Sequence, residues 1–336
     1  MADRFLLKST SILLNYNYLR KKAKVNPLII NYHVVSDLKL PYIKHLYGYR
    51  SISEFQKDIE FYQSNYRIIG LPDLLDWIKR SKPLPDNSLL LTFDDGFREI
   101  YETVAPHLLD KKVPATFFLT SSFIDNCNFN HDNKQSLLVD IILNNNNLDL
   151  LRELEKLLIE NNISGNDLKS RILAIPYHKR HIIDQIAEFV EVDLNKIFGN
   201  FIPYLTSNQV SELIHNGFTI GSHSIDHARF IELSLVEQIM QTVTSIDFLT
   251  EKFGLDYRVF AFPYTDIGVS NSFFESIEKQ VDITFGTQGL MDDPISFNLQ
   301  RINGEKYPYS AKRNIKSHYF TKIVKSTLNR NTIVRK

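Results

Sequence analysis

The stretch that most constrains this chain is Leu89 to Gly96, which reads LLLTFDDG. An apolar run of strand formers ending in two carboxylates and a glycine marks a strand buried on both faces, as in a parallel sheet covered by helices. Burial of the strand delivers both acids to one sheet edge. Adjacent side chains on a regular strand point to opposite faces, but a turn at Gly96 lets Asp94 and Asp95 approach one centre from different directions. One carboxylate can then bind a metal while the other handles a proton. In the simpler alternative the pair caps a helix starting near Phe97, and only partners elsewhere in the chain decide between the two.

The rest of the chain repeats the strand-and-helix theme. Strands are expected from about residues 28, 66, 89, 115, 218, 259 and 283, with helices between most of them, including 53–64, 73–80, 98–110, 207–215, 235–253 and 272–279. Parallel connections of this kind build a barrel or a doubly wound sheet. The barrel is preferred, because His33, Asp94 with Asp95, His223, and Pro263 with Tyr264 all fall at the carboxyl ends of strands, the face where such barrels gather their chemistry. The domain reading is an amphipathic helix within 1–24, a barrel over 25–310 with a helical insertion at about 125–200, and a basic tail over 311–336. The insertion reads as a substrate-selecting lid or as a stabilising appendage.

A second motif supplies partners for the acids. Gly221 to His227 reads GSHSIDH and places His223 and His227 four residues apart, on one face if the segment turns helically. With Asp95 they form two imidazoles and a carboxylate, a set that suits catalytic zinc and also other first-row metals. Asp94 then serves as the base for the attacking water, and the backbone N–H of Tyr264 as the oxyanion donor. His33 is placed by its strand to protonate a leaving amine. Phe262, Pro263 and Tyr264 are the candidate substrate contacts. HKRH at His178 to His181 has near-helical spacing too, but without a strand end or carboxylate pair it reads as a solvated face.

Thirty-nine basic residues balance thirty-nine acidic ones, so the chain lacks the net positive field of most nucleic-acid binders, and 43% hydrophobic residues suffice for a packed core. Basic clusters at Arg20 to Lys24 and in 311–336 read as solvated faces or, alternatively, as contacts with an anionic membrane surface. One cysteine, Cys127, excludes an intramolecular disulfide. No signal peptide and no apolar span of membrane length is read, which points to the cytoplasm, with the inner membrane surface as the variant that the basic clusters suggest. Neither a phosphate-binding GxxxxGK loop nor a GxSxG elbow is present, which disfavours ATP-driven and serine-hydrolase mechanisms.

TFDDG at Thr92 to Gly96, HSIDH at His223 to His227, FAFPY at Phe260 to Tyr264 and LQRI at Leu299 to Ile302 resemble, in this order, the motifs of the NodB-type polysaccharide deacetylases. The resemblance implies a distorted (β/α)7-type barrel and metal-dependent removal of an acetyl group from an N-acetylated saccharide. It gives Asp94 the base role, makes Asp95, His223 and His227 metal ligands and puts Tyr264 near the oxyanion. Three positions differ: Ala261 and Phe262 stand where many members have an arginine, Thr265 follows the tyrosine instead of glycine, and no late Leu-x-His motif appears. Members with an early tyrosine-histidine strand, similar to Tyr32 and His33, give the acid role to that histidine. The alternatives are an O-acetyl esterase with the same site and a carbohydrate-binding protein that has lost its acid or oxyanion machinery.

Overall fold

The computed structural model describes residues 14–145, 147–305 and 309–336. The expected N-terminal helix is seen as Tyr16–Ala23, while residues 1–13 of that segment lie outside the described residues. Nine strands form one parallel sheet: β1 (Leu28–Tyr32), β2 (Arg67–Ile69), β3 (Ser88–Phe93), β4 (Thr116–Leu119), β5 (Thr219–Ser222), β6 (Val259–Ala261), β7 (Ile283–Gly286), β8 (Asn298–Gln300) and β9 (Ile302–Asn303). Their order is β8-β7-β6-β5-β4-β3-β1-β9, with β2 added to β3. The two ends of this path, β8 and β9, are separated in the chain by Arg301 alone, so the sheet curls into a nearly closed barrel. This is the expected (β/α) barrel. It gains two short strands, of three and two residues, that are too brief to carry a periodic signal.

The period-two alternation of the strands sorts their side chains. Leu28, Ile30 and Tyr32 of β1 and Leu89, Leu91 and Phe93 of β3 pack outward under the helices. Ile29, Leu90, Phe118, Val259, Ala261, Ile283 and Phe285 fill the barrel. Continuing the inward set by two residues places Asn31 and His33 after Ile29, and Thr92 and Asp94 after Leu90. The outward set on β6 takes Phe260 and Phe262 into an aromatic cluster with Phe230, Phe273 and Phe274. Phe262, expected to touch substrate, is fully buried there, and its role is packing.

Capping locks the helices that carry these strands. Ser51 with Glu54, Thr206 with Gln209 and Ser234 with Glu237 make reciprocal side-chain-to-backbone bonds at the starts of Ile52–Asn65, Ser207–His215 and Leu235–Phe253. The helix expected from residue 98 begins with a wide π-type turn, Ile100–Val104, and continues as Ala105–Asp110. The insertion contains five helices, from His131–Leu143 to Leu194–Phe201. They share an apolar core with Val34, Tyr42, Phe97 and Tyr204, residues at the barrel mouth, and the insertion thereby forms a wall over the carboxyl ends of the strands. His178 and His181 are exposed.

The segment 311–336 is more than a solvated face. Its helix, Ala311–Thr327, buries Ala311, Asn314, Ile315 and Tyr319. Beyond it, the Arg335 side chain is 1% exposed and pairs with the buried carboxylates of Asp266, at 2.6 Å, and Asp293. No helix among the described residues is long and apolar enough to cross a membrane.

Candidate active site

At the end of β3 the chain must turn both acids inward, and backbone torsion does this. Asp95 and Gly96 adopt φ values of 74° and 77°, swinging the Asp95 carboxylate back over the barrel mouth beside Asp94. Gly96 is needed twice over: its φ favours glycine, and a Cβ there would stand 3.0 Å from Leu119. On β5, His223 follows Gly221 on the inward face, where a Cβ on Gly221 would come within 2.4 Å of the Phe118 ring that fills the barrel. His227 also has positive φ, 62°, and its N–H donates to Ser224 Oγ at 3.0 Å. Left-handed conformations at non-glycine residues store about 1–3 kcal/mol each, and Asp95, Ser224, His227 and Tyr264 all adopt them here.

These turns bring Asp95, His223 and His227 together, with one ligand atom from each within 4.8 Å of the others. Asp95 Oδ1 lies 3.3 Å from His223 Nε2 and 3.1 Å from His227 Nε2. His223 Nδ1 donates to the carbonyl of Ala261 at 2.8 Å, which fixes the tautomer and turns the Nε2 lone pair toward Asp95. Asp95 Oδ1 is buried without a hydrogen bond, and leaving such an atom unmatched costs about 1–3 kcal/mol or more. Burial raises the Asp95 carboxyl, but the two imidazoles outweigh it and hold the group well below its usual range. An ionised carboxylate with two aligned imidazoles fits a divalent cation.

Asp94 sits beside this set. Its carboxylate accepts both arms of Arg301, Nη1 at 2.7 Å and Nη2 at 2.8 Å, and Arg301 Nη1 also donates to Thr92 Oγ1 at 3.1 Å. Burial alone would raise the Asp94 carboxyl, and Arg301 followed by His223 brings it below the ordinary value. Arg301 stands in LQRI, yet nothing local announces that it pairs with a residue on β3. It supplies from the β8–β9 junction the cation that the third motif lacks at Ala261 and Phe262.

His33 occupies the other flank. Its Nδ1 is 2.7 Å from Glu305 Oε2, and Glu305 Oε1 accepts the backbone N–H groups of His33 and Val34 at 2.7 and 2.8 Å. Burial alone would lower the imidazole, but Glu305, with smaller contributions from Asp95 and Asp94, pushes it up to about 9. The histidine is therefore a cation at neutral pH. Glu305 has no signal in the sequence beyond its type.

Tyr264, with φ 55°, stacks against His227 at 4.6 Å between centroids, and the Arg229 guanidinium lies 3.7 Å from its ring centre. Burial, and then the Asp132 carboxylate, hold its hydroxyl well above the usual range. A pocket of about 370 Å³ opens over these groups, lined by His33, Tyr47, Asp95, His227, Arg229 and Tyr264 on the barrel side and by Asn130, Asp132, Asn133 and Gln135 from the insertion. Trp77, the one tryptophan of the sequence, packs against the barrel interior cluster, away from this pocket. Asp226, the acid within HSIDH, accepts from Gln241 Nε2 at 2.8 Å and from the Tyr177 hydroxyl of the insertion, which ties the loop that carries His223 and His227 to both neighbours.

Comparisons with known proteins converge on one group. The polysaccharide deacetylase family profile matches residues 81–285. Poly-beta-1,6-N-acetyl-D-glucosamine N-deacetylase of Staphylococcus aureus is 27% identical over 125 residues, covering 37% of this chain and 40% of that protein. Its Staphylococcus epidermidis counterpart is 26% identical over 127 residues, covering 38% of this chain and 41% of that protein. The matched region thus spans about 40% of the curated relatives. Among solved structures, the Streptococcus pyogenes deacetylase PplD in complex with acetate aligns with a TM-score of 0.55 at 13% identity, covering 88% of this chain and 98% of that one. IcaB from Ammonifex degensii aligns with a TM-score of 0.54 at 15% identity, covering 88% and 97%. At these identities the two structures establish the shared fold.

Proposed function

Because the chain belongs to the polysaccharide deacetylase family, we propose that it is a metal-dependent hydrolase that removes the N-acetyl group from an acetamido sugar of a glycan or glycan precursor. The observation that carries this reading is the convergence of Asp95, His223 and His227 at the wall of a pocket. The three residues would hold a divalent metal and leave positions open, a set suited to zinc and acceptable to other first-row ions. A cation bound there polarises the acetyl carbonyl and lowers the pKa of water.

The chain's own groups account for the protons. Asp94, kept ionised by Arg301, accepts a proton from the attacking water. The backbone N–H of Tyr264 donates to the oxyanion of the tetrahedral carbon. His33, protonated beside Glu305, gives its proton to the sugar nitrogen as the C–N bond breaks, so that acetate and an amine leave. Tyr264 borders the acyl group, Pro263 is buried behind it, and the insertion residues Asn130 and Asp132 face the sugar from the opposite wall.

The names of the staphylococcal relatives make β-1,6-linked N-acetylglucosamine oligomers the first substrates to test. Acetate release is measured from N-acetylated and O-acetylated saccharides, with chelated and metal-restored protein in parallel. Chelator-sensitive release from amides is expected. Release from esters alone overturns the N-deacetylase reading, and release from neither by metal-loaded protein overturns the enzymatic one.

A further inference from the structure

Tyr47 stands in the loop between β1 and the helix Ile52–Asn65, outside the region matched by the family profile. Three tyrosines of this loop differ in one respect. The Tyr42 hydroxyl donates to Glu99 at 3.3 Å and that of Tyr49 to the Leu38 carbonyl at 2.6 Å. The hydroxyl of Tyr47 is buried and has no hydrogen-bond partner in the protein, the only such tyrosine hydroxyl among the described residues. Packing holds the ring in place, 5.2 Å from His33 between centroids. A phenol fixed by its ring while its oxygen goes unmatched is either a folding defect or a group kept for a ligand.

The position favours a ligand. Tyr47 lines the pocket over Asp95 and His33, and it also lines a neighbouring cavity of about 440 Å³ with Gly48, Thr287, Asn303 and Glu305. It therefore stands where a chain of more than one sugar would pass from one space to the other. An aromatic face with a hydroxyl at its tip suits a pyranose, whose C–H face packs on the ring while a ring hydroxyl or linking oxygen takes the hydrogen bond. We propose that Tyr47 is a saccharide-contacting residue, donating a hydrogen bond to an oxygen of the sugar chain beside the reacting acetamido group.

This inference rests on the deacetylase reading, and its test separates the two. Tyr47→Phe removes only an oxygen that has no protein partner, so its melting temperature is expected to match the parent protein. Its affinity for a β-1,6-linked N-acetylglucosamine disaccharide, measured by calorimetry on chelator-treated protein, is expected to fall roughly tenfold, the scale of one lost hydrogen bond. The kcat/KM for acetate release from the metal-restored protein should fall in parallel. Tyr47→Ala should lose more, since the ring face goes too. Equal affinities for the parent and Tyr47→Phe, or a lowered melting temperature that accounts for the loss, overturn the proposal and leave the deacetylase reading standing. Weakened disaccharide binding without acetate release by the parent protein retains the contact and overturns the reading.

Discussion

Arg301 reaches Asp94 across 207 positions of the chain and grips both carboxylate oxygens, with neither side chain more than 2% exposed. Removing one partner of a buried pair costs about 3–5 kcal/mol because the other charge is left unmatched. Arg301→Gln should therefore lower the urea midpoint and, by raising the Asp94 carboxyl and freeing its orientation, reduce turnover by roughly 100-fold or more. Arg301→Lys keeps charge but loses the fork, and should regain stability more fully than rate. Parent-like turnover in Arg301→Gln would detach this pair from the chemistry.

Glu305 holds His33 in its protonated form, so the acid is competent below the histidine pKa and lost as pH rises through it. Glu305→Gln removes the carboxylate that raises this value. The alkaline limb of kcat/KM should move to lower pH, and the acidic limb should stay where it is. An unmoved alkaline limb would assign that limb to another group.

The metal set predicts a division between binding and rate. His223→Ala and His227→Ala should bind metal less than stoichiometrically by elemental analysis, and their residual activity should rise with added cation. His33→Ala should retain stoichiometric metal while losing turnover. If His33→Ala loses the metal as well, the histidine belongs to the ligand set.

Acid stability should expose the role of Arg335. Asp266 is fully buried; burial raises its carboxyl, but hydrogen bonds from Arg335, Gln300 and Asn298 bring it below the ordinary value. A group with a depressed folded pKa contributes stability that is complete above its unfolded value, about 4, and is lost as pH falls through the folded value. The parent protein should therefore lose melting temperature as the pH falls below about 4 more steeply than Asp266→Asn, and the two curves should converge in acid. Asp266 also accepts from the N–H of Thr287, whose hydroxyl donates to the Tyr264 carbonyl at 2.9 Å. Arg335→Gln should thus lower kcat as well as stability, although residue 335 lies outside the pocket.

The barrel and the convergence of Asp95, His223 and His227 were legible because strand period and motif order are local signals. Asp94 follows Leu90 and Thr92 on the inward face of β3, and His33 follows Ile29 and Asn31 on the inward face of β1. The same alternation runs against a substrate role for Phe262, which shares the outward parity of Phe260. What was hidden is what pairs across the fold. Arg301 and Glu305 flank a two-residue strand with no period, and their partners lie more than 200 positions away. Tyr47 gives no sequence signal at all, since a missing hydrogen bond is visible only once every neighbour is placed.

The arginine that grips Asp94 is also the single residue between β8 and β9, the two ends of the strand order. Its backbone N–H and Nε both bond to the Gly286 carbonyl on β7, each at 3.2 Å, while its fork holds β3 through Asp94. One side chain is thus a rivet across the seam of the barrel. Loosening of that seam would therefore act first on Asp94, the carboxylate proposed as the base, and only afterwards on Asp95, His223 and His227.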